Sequence, residues 1–193
     1  MILYLVRHGQ DDSTVRGGWS DSPLTAEGLL QADALAGEIL RRRDELALSR
    51  ILSSDLPRAL ETAAPAARAL NLPIEKRSEF REVNNGELAG MKNDLALIRY
   101  PGLFWNTLKW EENYPGGESP KEFFERIRSA WEALSRELIP RGENIMLVTH
   151  SGVIHVIRHL ISGTVYSNTD KQLPVPHAQL IPVRFSVGGW QID

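Results

Sequence analysis

The chain has 193 residues, 42% of them hydrophobic and 24% charged, the balance of an ordinary globular protein. It suits one domain over 1–193, long enough to bury a core without staples. The absence of cysteine excludes disulfides, thiolate metal sites and a cysteine nucleophile, and a net charge of −3 lacks the basic excess of a nucleic-acid binder.

Residues 1–6 form a short apolar run without the basic lead or cleavage site of a signal peptide. No stretch reaches the roughly 20 apolar residues of a membrane span. The default expectation is a cytoplasmic protein. The opening run reads as a buried strand ending at Arg7, followed by a loop punctuated by Gly17, Gly18 and Pro23. Thr25 reads as the N-cap of a helix in which Leu29, Ala32, Ala36, Ile39 and Leu40 recur at helical spacing. Arg41-Arg42-Arg43 closes it, where cations suit the helix dipole.

A short strand near 50–52 runs into Ser53-Ser54-Asp55. Pro57 suits the first turn of the next helix, which carries Leu60, Ala63, Ala64, Ala67 and Leu70 and ends near Asn71. Residues 74–76 read as another short strand. From about 87–120, glycines, prolines and the aromatics Tyr100, Phe104, Trp105, Trp110 and Tyr114 predict short helices and loop, a small helical cap-like insertion. A long helix is predicted over 120–138, with Phe123, Phe124, Ile127, Ala130, Trp131 and Leu134 on one face. Residues 144–148 are the clearest strand and lead through Thr149-His150-Ser151-Gly152 into a helix ending near Gly163. The tail has strand-like runs at 179–187 and 190–192 around Gly188-Gly189. Strands alternating with helices predict an α/β three-layer sandwich, with a mostly parallel central sheet flanked by helices.

Three polar clusters each follow an apolar strand: Arg7-His8-Gly9, Ser53-Ser54-Asp55 with Arg58, and Thr149-His150-Ser151-Gly152. In a parallel sheet such strand ends share one edge, where ligands bind. The pattern therefore brings Arg7, His8, Arg58 and His150 toward one point. Arginine matches phosphate oxygens bidentately and stays charged, and the helix N-termini after Ser54 and His150 add N–H donors for an anion. The predicted ligand is a phosphoryl group. A neutral imidazole is also a competent nucleophile near neutral pH. A departing alkoxide needs a proton, which Glu79, Glu82 or Glu87 could supply from the rim.

These motifs resemble the histidine phosphatase superfamily, in the branch that includes cofactor-dependent phosphoglycerate mutase. Arg7-His8-Gly9 resembles its opening motif, and Trp19-Ser20-Asp21-Ser22-Pro23-Leu24-Thr25 its following loop and cap. The run from Ser53 through Arg58 to Ala63 resembles its second-arginine helix, and Glu82-Val83-Asn84-Asn85-Gly86-Glu87 its acid segment. Pro115-Gly116-Gly117-Glu118-Ser119 resembles the turn before its long helix, and Thr149-His150-Ser151-Gly152-Val153-Ile154 its second-histidine motif. The resemblance implies a phosphohistidine at His8, phosphoryl binding by Arg7, Arg58 and His150, and proton transfer by Glu82. It implies hydrolysis of small organic phosphate monoesters without metal or cofactor. The alternatives are mutase-type phosphoryl transfer and a catalytically silent binding module. His150-Ser151 in place of His-Asp argues against the acid-phosphatase and phytase branch.

The sequence also departs from the family. Thr14 stands where an Asn often contacts phosphate, Gln10 where Glu is common, and Ser151 where Gly or Asn is commoner. All three are expected near the substrate. The loop to Trp19 looks shortened. His155 and His159 are spaced for a metal, but Val156 stands where the zinc-protease pattern needs Glu, so no metal site is expected. The expected partner is a small phosphorylated metabolite, with no nucleic acid and no membrane; a homodimer is allowed for.

Overall fold

The apolar runs become strands with both faces covered. The computed structural model describes residues 1–170 and 173–192. In chain order the elements are β1 (Ile2–Arg7), α1 (Ala26–Arg41), one turn of α2 (Arg43–Leu46), β2 (Leu48–Ser53), α3 (Pro57–Leu70), β3 (Ile74–Lys76), α4 (Asn93–Arg99), α5 (Pro120–Leu138), β4 (Asn144–Thr149), α6 (Ser151–Ser162), β5 (Ile181–Ser186) and β6 (Gly189–Ile192). The six strands form one sheet in the order β3-β2-β4-β1-β5-β6. The pairings among β1, β2, β3 and β4 are parallel, and the tail hairpin adds antiparallel β5 and β6. This is the expected α/β sandwich, with an antiparallel edge on a parallel sheet.

Side-chain alternation divides the core into two layers. Leu3, Leu5, Ile145 and Leu147 pack with Phe123, Ile127 and Val153 from α5 and α6. Tyr4, Val6, Met146 and Val148 pack on the opposite face with Leu35, Ile39, Ala59 and Ala63 from α1 and α3. Strands buried on both faces read as continuous apolar runs, which is why 1–6 and 144–148 were legible.

Two helices are rotated from the predicted faces. In α1 the inward residues are Gly28, Ala32, Leu35, Ala36 and Ile39, while Leu29 and Leu40 are about half exposed. In α3 they are Arg58, Ala59, Thr62, Ala63, Ala66 and Ala67, and Leu60, Ala64 and Leu70 are only partly buried. Arg58 and Thr62 have polar partners inside, so the small and polar side of α3 faces the sheet rather than its leucines. The Thr25 cap is as read, its side chain accepting from the Gly28 N–H. Ser119 and Glu122 form a capping box at the start of α5.

Between β3 and α5 lie three short 3-10 turns, Ser78–Phe80, Gly86–Leu88 and Trp105–Thr107, and the helix α4. Leu88, Leu108 and Tyr114 form a small core of their own. This segment is tied to the loop after His8: Arg16 N donates to Met91 O, and Asn93 N donates to Thr14 O. Of its aromatics, Trp105 stacks on Tyr114 at 6.4 Å between ring centroids and Tyr114 is buried, whereas Trp110 is partly exposed. No helix among the described residues is long and apolar enough to cross a membrane.

His155, on α6, is 5% exposed, and burial holds its imidazole down at about 4 against an ordinary 6.5. Its stabilising contribution is complete above pH 6.5 and is lost as the pH falls toward 4, on the order of 3 kcal/mol. His8 and His150 are also lowered by burial and act in the same direction. His155→Gln should flatten, without abolishing, the fall in unfolding free energy between these pH values, as measured by urea denaturation. An unchanged slope would show that His155 carries no such load.

Candidate active site

Three neighbouring strands, β2, β4 and β1, end side by side, and backbone bonds hold their exits together. His8 N donates to Thr149 O at 2.9 Å, and Ser54 N donates to Val148 O at 2.9 Å. Beyond them the nucleophile loop meets α1 backbone to backbone. A Cβ on Gly28 would lie 2.1 Å from Gln10 O, and one on Gly9 would lie 2.6 Å from Gly28 O, so this approach needs glycine at both positions. Gly9 N donates to Thr62 Oγ1 at 2.9 Å, which ties the loop to α3.

His8 is buried, 5% exposed. Its Nδ1–H donates to the Gly9 carbonyl at 2.7 Å, so Nδ1 holds the proton and Nε2 carries the lone pair. Nε2 faces Arg58, whose Nε–H lies 3.3 Å away. Burial and then the charge of Arg58 push the His8 pKa well below its usual value. The ring is neutral at pH 7, and its Nε2 lone pair accepts from the Arg58 guanidinium.

Arg58 is 1% exposed and is held by backbone carbonyls. Nη1 donates to Ser20 O at 3.1 Å and Nη2 to Gly18 O at 2.7 Å. Asp11 approaches Nε at 3.5 Å. Arg7 donates from Nη1 to Val175 O at 2.9 Å, while its Nε is buried without an acceptor among the described residues. Desolvation lowers the pKa of both arginines. His150 is fully buried, with its ring centroid 5.2 Å from that of His8. Its Nε2 lies 2.8 Å from Ser54 Oγ, and its Nδ1 has no partner among the described residues. When Ser54 donates its hydroxyl proton to Nε2, Nδ1–H is left to offer to an anion. Burial, then Arg58, pushes this histidine well below its usual pKa as well.

The competing acids separate clearly. Glu79 faces Arg77 at 3.6 Å, and exposed Glu87 accepts from the Tyr100 hydroxyl at 2.5 Å. Glu82 instead accepts from Gly152 N at 3.0 Å, which joins it to the first turn of α6 beside His150. Its backbone is clamped: Trp19 Nε1 donates to Glu82 O at 2.6 Å and Arg126 Nη2 donates to the same oxygen at 3.0 Å.

The structure thus brings together Arg7, His8, Arg58, His150 and Glu82. Ser151 follows His150, half-buried, at the same helix start. Gln10 and Thr14 are not brought in. Gln10 is exposed and its side chain accepts from Thr25 Oγ1 at 2.9 Å; Thr14 is exposed and its hydroxyl donates to Asp12 at 2.7 Å. Their loop is anchored to the segment around α4, which turns it outward. Four residues near the site carried little or no individual signal. Ser54 was visible only as part of a motif. His177 donates from Nδ1 to His8 O at 2.8 Å, while Trp19 and Arg126 position Glu82. Among the described residues no group of three or more His, Asp or Glu side chains could hold a metal ion.

A six-stranded α/β sheet whose strand ends gather two arginines and two neutral histidines fits an enzyme that handles phosphoryl groups. The chain belongs to the histidine phosphatase superfamily: the model of its branch 1 matches residues 3–193. A Hydrogenobacter thermophilus protein provisionally named phosphoserine phosphatase 2 is 32% identical over 166 residues, covering 83% of this chain and 78% of that protein. The Escherichia coli protein called "Probable phosphoglycerate mutase GpmB" is 35% identical over 168 residues, covering 83% and 74%. Among solved structures, Bacillus stearothermophilus YhfR shares the fold with a TM-score of 0.84 at 24% identity, covering 99% of this chain and 94% of that one. The α-ribazole phosphatase of Shigella flexneri does so with a TM-score of 0.81 at 22% identity, covering 100% and 95%. The family and the phosphoserine phosphatase relative support a phosphatase and leave its substrate open, and the two solved structures show the fold.

A Cβ on Gly152 would lie 2.3 Å from Glu82 Oε1. Gly152→Ala should therefore displace the carboxylate and slow hydrolysis of alkyl phosphates by about 10²-fold, the scale of a lost general acid. A Gly152→Ala variant as active as the parent would separate Glu82 from the chemistry.

Proposed function

We propose that this protein hydrolyses small organic phosphate monoesters through a phosphohistidine on His8. The observation that carries the reading is the fixed tautomer of His8, with Nδ1–H on Gly9 O and the Nε2 lone pair beside Arg58. Nε2 attacks phosphorus and the bond to the leaving oxygen breaks. Glu82, protonated, gives that oxygen its proton. Glu82 then takes a proton from water, the water oxygen attacks phosphorus, and phosphate leaves with His8 neutral again. Arg7 and Arg58 bear the charge on the phosphoryl oxygens, where fixed donors contribute most. Nδ1–H of His150 is suited to a further oxygen. Ser151, at the start of α6, is placed to add a contact.

In this reading the segment at about 87–120 caps the site and helps to select the leaving group. The reaction needs no metal or other cofactor, and the protein acts in the cytoplasm on a soluble metabolite. The phosphoserine phosphatase name of one relative supports a hydrolase; α-ribazole phosphate is a second substrate to try, on fold likeness alone. A specific observation keeps the mutase alternative in view, namely the name of the Escherichia coli relative. The two differ in whether water or a second substrate takes the phosphoryl group, so phosphate release without an added acceptor decides between them.

Purified protein should release p-nitrophenol from p-nitrophenyl phosphate in the presence of EDTA; a strict metal requirement would sink the mechanism. His8→Ala should abolish turnover. In kcat/KM, which reports phosphoryl transfer to His8 and not the later attack of water, Glu82→Gln should cost about 10²-fold with alkyl phosphates and much less with p-nitrophenyl phosphate, whose leaving group needs little protonation. An equal loss on both would remove Glu82 as the proton donor.

A further inference from the structure

The spacing of His155 and His159 has a use other than metal binding. At 3.6 residues per turn, Ser151, His155, Arg158 and Ser162 fall along one stripe of α6 that begins beside His150. The chain after α6 returns past this stripe. Between them lies a cavity of about 320 Å³, lined by His155, Arg158, His159, Tyr166 and Asp170 among others. That returning chain reaches Val175, whose carbonyl holds Arg7. Leu173 of the lining stands two residues before Val175, so one wall of the cavity leads to the chain that holds Arg7.

Its strongest donors are not spent on the protein. Among the described residues Arg158 Nη1 is buried with no acceptor, and the buried Tyr166 hydroxyl, which has Trp105 beside it, also has none. Burial alone lowers the Arg158 pKa, and no carboxylate offsets it, although Asp170 shares the lining. His155, neutral at pH 7 and bonded to the backbone of Leu173, adds no charge of its own. Buried donors without partners are uncommon and invite a missing ligand as the reason. Arg158 and Tyr166 line one cavity, and a guanidinium and a phenol together complement an oxyanion, which a guanidinium can hold with two parallel bonds.

We propose that this cavity is a leaving-group subsite that takes a second anionic group of the substrate, a carboxylate or a phosphate. The proposal rests on the phosphatase reading and narrows its substrate class to phosphate monoesters with an acidic far end. A rise of 1.5 Å per residue puts Arg158 ~10 Å along α6 from Ser151, which sets the reach such a substrate needs.

The test uses the full-length protein and ω-carboxyalkyl phosphates of increasing length, each beside the alkyl phosphate of equal length. At one length the acid should be preferred in kcat/KM by about tenfold or more, the scale of a charge-assisted hydrogen bond. A matching series of α,ω-bisphosphates distinguishes carboxylate from phosphate. Arg158→Gln should bring the preference ratio close to one, and Arg158→Lys should keep part of it. No preference at any length for either acid, or a ratio unchanged by Arg158→Gln, would overturn the subsite while leaving the phosphatase reading standing. Failure to hydrolyse any member of either series would overturn the phosphatase reading itself.

Discussion

The hydrogen bond from His8 Nδ1 to the Gly9 carbonyl, 2.7 Å long, decides which ring nitrogen can react. Burial and the arginines beside it keep the ring neutral, and the carbonyl keeps the proton on the far nitrogen. Without the carbonyl, the proton could occupy Nε2 and block the lone pair. Without the burial, the ring could become charged in mild acid. The glycines at 9 and 28 serve this bond, because only they let the His8 loop lie against α1 closely enough. The His177 ring adds a bond to the His8 carbonyl from the other side.

The sheet supplies the rest of the geometry. β1 and β4 are adjacent and parallel, so His8 and His150 leave the sheet together. β2 lies on the other side of β4, and its exit leads into α3, whose first turn delivers Arg58. Glu82 comes from a segment with no regular structure of its own and must be held by others. Arg126 of α5 donates to the carbonyls of Glu79, Arg81 and Glu82, and Trp19 adds a second bond to Glu82 O. The acid is thus positioned by a long helix on one side and by the nucleophile loop on the other.

Much of this was legible in the sequence, for physical reasons that differ by element. Residues 120–138 were readable because a repeating apolar face marks a helix locally, and the Ser119 cap that starts it emerged from the structure. Residues 74–76 were readable because turn-forming residues bracket them. Arg7, His8, Arg58 and His150 were readable because strand ends in a parallel sheet converge. The faces of α1 and α3 were not, since hydrophobicity points Leu29 and Leu60 inward whereas packing favours small residues and buried Arg58. The outward course of Gln10 and Thr14 was hidden too, because Gln10 is held by Thr25 and Gln31 and the backbone of Thr14 by Asn93. Arg126 lies 44 positions from Glu82, and no periodicity links them.

The central claim concerns a single atom, His8 Nε2. The most direct measurement is to mix the Glu82→Gln variant, in which water attack is slowed, with p-nitrophenyl phosphate, quench in base, and locate the phosphoryl group by phosphorus NMR and peptide mapping. The account predicts a phosphoramidate on Nε2 of His8. A phosphoryl group on Nδ1, on another residue, or absent while p-nitrophenol is still released in a burst, would contradict it.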